Sequence, residues 1–199
     1  MSRRRLVAHF LLAVLAVSNL PSNARAQRKG PPRTAFSHSD DWRTLLERRV
    51  PAYGHRNWIV IADSAYPAQT SPGIETIVTG ADHLEVLQAV LAGLEGMPHV
   101  RPIKYVDAEL PHVPEKDAPG VTKYREALRK ALGGKGAIGL PHEDIIAKLD
   151  AAGQQFKVLI LKTNMTLPYT SVFLELDCGY WSAEAETRLR EAMAEVKPE

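Results

Sequence analysis

The chain has 199 residues, 45% of them hydrophobic and 24% charged, with a formal charge of +2. These values sit near the averages of globular proteins and exclude wholesale disorder, a coiled coil and a collagen-like fibre. The one cysteine, Cys178, excludes an internal disulfide framework and a cysteine-rich zinc module.

Residues 1–26 have the layout of a secretory signal. Arg3, Arg4 and Arg5 form a basic head, Leu6 to Leu20 is apolar apart from His9, Ser18 and Asn19, and Ala24-Arg25-Ala26 supplies a small-x-small cleavage pattern. The apolar run is 15 residues, short of the roughly 20 needed to cross a bilayer. The expectation is therefore export, periplasmic or secreted, with no membrane attachment once the signal is cleaved. Residues 27–38, with Pro31-Pro32, predict a flexible leader, and residues 39–199 a single folded domain. The positive charge belongs to the first two segments. Residues 34–199 carry 18 basic against 23 acidic side chains, a net −5. A mildly acidic domain argues against a nucleic-acid partner and suits a neutral ligand.

Asp41 or Ser39 predicts the cap of a first helix, with Trp42, Leu45, Leu46 and Val50 along one face. Trp58 to Asp63 is a continuous apolar run of strand length ending in an acid, the pattern of a strand buried on both faces. Ile74 to Thr79 predicts a second strand. Asp82 with Glu85 opens a helix carrying Leu84, Val86, Leu87, Val90, Leu91 and Leu94, and Val100 to Val106 predicts a third strand. Pro111, Pro114 and Pro119 make Glu109 to Gly120 a loop. A helix follows from Thr122 to Leu132, stopped by Gly133-Gly134. Then come a strand at Ala137 to Leu140, a helix at His142 to Ala152 with Ile145, Ile146 and Leu149 inward, strands at Lys157 to Lys162 and Val172 to Leu176, and a last helix capped by Ser182 and running to about Val196. Strands alternating with helices predict an α/β domain with a largely parallel central sheet flanked by helices.

Several motifs carry little. Gly134, Gly136 and Gly139 fit a GxGxxG pattern, but a helix precedes it and a strand follows, the reverse of a dinucleotide-binding turn. His112, His142 and Glu143 could be gathered by the fold, yet no HxxxH or HExxH pair exists to nucleate a metal site. Cys178 has no basic cluster beside it. Asn164-Met165-Thr166 fits the glycosylation sequon, which matters only in a eukaryotic host.

Three places carry more. Gly54-His55-Arg56-Asn57 precedes the first strand, and Asp63 ends it, before Ser64-Ala65-Tyr66-Pro67. Asp63 thus falls at the carboxyl edge of the sheet, where open α/β sheets bind ligands. Pro141-His142-Glu143 joins a strand to a helix, and Leu167-Pro168-Tyr169-Thr170-Ser171 is a polar, aromatic turn between two apolar strands. Taken singly, each also has a structural reading: a capping Asp, a surface His, a turn Tyr.

Taken together and in order, GHRNWIVIADSAYP, IETIVTGADHLEVLQAVL, PHEDI and LPYTSVFLELDCG resemble the D-ribose pyranase and L-fucose mutarotase (RbsD/FucU-like) family. The resemblance runs from Asp41 to Gly179. It implies a small α/β protein that assembles into a homo-oligomer with sites near subunit contacts. It implies an isomerase that interconverts ring forms or anomers of a free monosaccharide, with neither metal nor organic cofactor. By resemblance His55 takes the place of the catalytic histidine. Asp63, Tyr169, Thr170 and Ser171 fall on sugar-binding positions, and His142 falls near a further histidine of the pyranase branch. The sequence departs from the pattern where Ser171 replaces the family's Asn and where Asn164-Met165 stands for a usual Gly-Glu. The residue types suit the chemistry, because opening a hemiacetal removes the anomeric hydroxyl's proton and protonates the ring oxygen, and histidine does either near neutral pH. An exported carbohydrate-binding protein on the same scaffold, without catalysis, is the competing expectation; a hydrolytic or metal-dependent role is the third.

Overall fold

Ile59 and Ile61 on one side of a strand, and Trp58, Val60 and Ala62 on the other, are all buried. That is the signature of an interior strand, and Trp58–Ala62 (β1) lies in the middle of the sheet. The computed structural model describes residues 41–134 and 136–195. The expected signal at 1–26 and leader at 27–38 fall outside the described residues.

The other strands are Ile74–Val78 (β2), Val100–Asp107 (β3), Ala137–Leu140 (β4), Val158–Lys162 (β5) and Val172–Cys178 (β6). The helices are Trp42–Arg49 (α1), His83–Glu95 (α2), Val121–Ala131 (α3), His142–Gln155 (α4) and Ala183–Glu195 (α5). The sheet order is β2-β5-β1-β6-β3-β4. β5 pairs parallel to both β1 and β2, and β3 parallel to β4. β6 alone runs the other way, antiparallel to β1 and β3. The sheet is therefore α/β and largely parallel, as the alternation of elements predicts.

The period-two alternation of β1 separates two cores. Ile59 and Ile61 pack with Leu159, Leu161 and Leu174 and with apolar positions of α1, α2 and α3. Val60 and Ala62 pack with Ile160, Phe173 and, from α4, Ile145 and Leu149. Burying a Leu or Ile side chain contributes about 2 kcal/mol before entropy is counted, so these two faces hold the sheet.

Local chemistry sets the helix starts. Asp82 accepts from the backbone N–H groups of Leu84 and Glu85, and Ser182 Oγ from that of Ala185. Two expectations change. α4 runs past Ala152 to Gln155, and Gly153 inside it is a close-packing position: a Cβ there would lie 2.7 Å from Cγ1 of Ile74. The Glu109–Gly120 stretch holds one 3-10 turn, Leu110–His112, that buries Leu110. Nη1 of Arg125 organises it by donating to the carbonyls of Leu110, Pro111 and Val113. The GxGxxG segment is a helix stop: Gly133 and Gly134 have φ of +80° and +90° after α3, and β4 follows.

Candidate functional site

Strand register decides which residues meet. Ile61 pairs with Val172, Val172 with Val106, and Val106 with Gly139, so one row crosses β1, β6, β3 and β4. One step further toward the carboxyl edge of the parallel strands stand Ala62, Ser171, Asp107 and Leu140. Asp63 and His142 come just beyond.

The β5–β6 connection passes over this edge for a topological reason. β5 and β6 flank β1 on opposite sides, so residues 163–171 must arch across the end of β1. Both the N–H and Oγ1 of Thr163 donate to the Ala62 carbonyl, at 2.9 and 2.8 Å, and the Ser64 N–H donates to the Met165 carbonyl at 2.8 Å. At its far end Ser171 Oγ donates to Asp63 Oδ2 at 3.2 Å. Tyr169 holds a left-handed backbone with φ +56°, unusual for an aromatic residue, and is 40% exposed. Its ring meets the His142 ring edge-on at 5.7 Å.

His142 opens α4 after Pro141. Glu109 supplies the cap that Pro141 lacks, its carboxylate accepting from the His142 backbone N–H at 3.0 and 3.2 Å. This bond holds the Glu109 carboxyl below the usual range. On the side chain, Nδ1 of His142 bonds Oδ1 of Asp107 at 2.9 Å. Asp107 is 1% exposed, and its Oδ2 has no hydrogen-bond partner among the described residues. Burial pushes its carboxyl up, against the lowering effect of His142.

Beneath the turn lies a buried polar chain. Thr170 is fully buried: Oγ1 donates to the Leu167 carbonyl, and its own carbonyl accepts from Tyr124 OH at 2.9 Å. The same hydroxyl lies 3.2 Å from Nδ1 of His83, whose Nε2 lies 3.2 Å from the Ile61 carbonyl. Burial pushes the His83 imidazole down to about 4, so it is neutral at pH 7.

His55 stands elsewhere. The Gly54 N–H donates to Asn57 Oδ1, the Asn57 N–H to the Gly54 carbonyl, and Arg56 takes φ +71°, making a tight turn at the amino end of β1. His55 is exposed there and adds to the pull that Arg101 chiefly exerts in holding the Asp177 carboxyl low. All five residues of β1, a span of roughly 13 Å, lie between His55 and Asp63.

One chain thus gathers Asp63, Tyr169, Ser171 and His142, turns the Thr170 hydroxyl inward, and keeps His55 at the opposite edge. Asp107 and Glu109 join the gathered group although sequence reasoning passed over them. Asp107 follows directly on Val106, but Arg101 and Lys104 break the kind of apolar run that marked Asp63, so the strand gave no comparable signal. Among the described residues, no group of three or more His, Cys, Asp or Glu side chains is placed to hold a metal ion.

No protein-family model matches the chain, and no curated protein sequence matches it. Solved structures do. The chain is similar to RbsD of Bacillus subtilis complexed with D-ribose, at 16% identity over 70% of this chain and 94% of that one, with a TM-score of 0.48. It is similar to the fucose mutarotase of Streptococcus pneumoniae in complex with L-fucose, at 20% identity over 70% and 96%, with a TM-score of 0.42. FucU of Bifidobacterium longum matches at 20% identity over 66% and 90%, with a TM-score of 0.44.

Proposed function

We propose that the chain is an exported, cofactor-free isomerase of the mutarotase or pyranase kind, interconverting ring forms or anomers of a free monosaccharide. The observation that supports it best is the convergence of Asp63, Tyr169, Ser171 and His142 at one sheet edge, from three separate stretches of chain. Asp63 accepts hydrogen bonds from sugar hydroxyls, the Tyr169 ring packs on the sugar's apolar face, and an imidazole exchanges protons with the anomeric hydroxyl and ring oxygen. Thr170 contributes by fixing the turn rather than by touching the sugar.

His55 is the principal acid/base in this reading. A His55 at the amino edge reaches a sugar at the carboxyl edge only from a second copy, so the reading entails a homo-oligomer with sites between subunits. The test is saturation-transfer NMR of anomer exchange across a panel of aldoses and deoxysugars. The expected result is acceleration for at least one sugar, abolished by His55→Ala. No acceleration by the unaltered protein for any sugar refutes catalysis.

One observation favours a second reading, an exported carbohydrate-binding protein without catalysis. Ser171 spends its hydroxyl on Asp63, leaving the sugar fewer donors than an amide would offer. Sugar binding without exchange, measured on the same samples, would establish that reading instead.

A further inference from the structure

Asp107 has one carboxylate oxygen committed and the other unmatched. Oδ1 meets Nδ1 of His142 at 2.9 Å, while Oδ2 is buried without a hydrogen-bond partner among the described residues. A buried carboxylate with an unsatisfied oxygen costs folding stability, more than a neutral amide of the same shape would. Holding such a group against a partly exposed histidine is a poor structural device. It is a good way to set a histidine's proton.

The remaining contacts of His142 are consistent with that use. Its backbone N–H is held by Glu109 and its ring by the edge of Tyr169. Its side chain is 33% exposed, and Nε2 makes no hydrogen bond among the described residues. An ionised carboxylate only accepts, so it places the neutral ring's proton on Nδ1 and leaves the lone pair on Nε2.

We propose that Asp107 is a positioning residue that fixes His142 in the tautomer with Nε2 as a proton acceptor, making His142 a second acid/base for the sugar. The role of the sugar rests on the reading above; the tautomer does not. In the step, the anomeric O–H breaks and its proton goes to Nε2. The electron pair left on that oxygen forms the carbonyl as the ring C–O bond breaks. The ring oxygen takes its proton from the protonated His55 of a second copy, the acid of the reading above, and the imidazolium formed at His142 is stabilised by the Asp107 carboxylate. Reversal closes the ring.

The experiment is nitrogen NMR of the protein labelled at histidine, at a pH where imidazoles are neutral, with exchange kinetics on the same samples. The unaltered protein is expected to show Nδ1 protonated and Nε2 bare at His142, and Asp107→Asn to mix or reverse that pattern. Asp107→Asn is also expected to lower kcat about 100-fold or more with KM within about threefold, and without lowering Tm. Asp107→Ala is expected to recover part of the rate with added formate but not with chloride. A proton on Nε2 in the unaltered protein, or an unchanged His142 pattern in Asp107→Asn, overturns the proposal. If the unaltered protein exchanges no sugar, the tautomer result still decides the role of Asp107, so the two failures are distinguishable.

Discussion

Ser171 Oγ donates to Asp63 Oδ2 across 3.2 Å, joining the amino end of β6 to the carboxyl end of β1 over 108 positions of sequence. The same oxygen lies 3.4 Å from the Asp63 backbone N–H, so one hydroxyl holds the acid from both sides. Ser171→Ala leaves a part-buried carboxylate short of a donor. The expected loss is about 1.5 kcal/mol of unfolding free energy, read by urea denaturation, together with weaker sugar binding. An unchanged stability would mean that solvent already satisfies Asp63.

Tyr169 gives a prediction of opposite character. At φ +56° an alanine carries the same backbone strain as tyrosine, and glycine carries none. Tyr169→Gly is therefore expected to be more stable than Tyr169→Ala by about 1 kcal/mol, the reverse of the usual order. Both variants are expected to bind sugar more weakly, since both lose the ring. Thermal melts and calorimetric titration check the two halves separately. The usual Ala-over-Gly order would show that the turn relaxes once the ring is gone.

The fold was legible where one residue pattern had one cause. The apolar run of β1, the Asp82 cap of α2 and the Gly133-Gly134 stop after α3 are local rules, and each predicted element stands where its rule put it. The end of α4 was less legible, because the close packing of Gly153 against Ile74 is a tertiary fact. Asp63, Tyr169 and His142 were legible as edge residues, since each sits where a strand or connection ends. Asp107 was not, because its partner His142 is 35 positions away and only the β3–β4 register brings them together. The separation of His55 and Asp63 was legible as well. The apolar run of β1 stands between the two, so an extended strand sets them at its opposite ends.

The buried His83 links site architecture to pH. Its folded-state value is pushed down from 6.5 to about 4, chiefly by burial. Below pH 6.5 the unfolded chain takes up a proton that the folded chain refuses until about pH 4. His83 therefore costs stability progressively as pH falls through that window, by about 3 kcal/mol in total. Asp107 acts in the opposite sense, because its carboxyl is pushed up and its protonation on acidification favours the folded state. Chemical denaturation between pH 7 and pH 4 is expected to show a net fall in stability that is shallower in His83→Gln. The same slope in both would remove His83 as the cause.

His55 and Asp63 can be tested as parts of one site drawn from two copies. His55→Ala and Asp63→Asn are each expected to abolish anomer exchange. Unfolded together in equal amounts and refolded, they form mixed assemblies. In such assemblies some sites combine an intact His55 from one subunit with an intact Asp63 from its neighbour. Random pairing in a head-to-tail ring gives roughly a quarter of the unaltered activity. A site confined to one chain gives none, because every chain in the mixture carries one of the two lesions. Light scattering of the unaltered protein supplies the companion measurement. Activity that persists in a dilution series down to monomer would detach His55 from the Asp63 edge altogether.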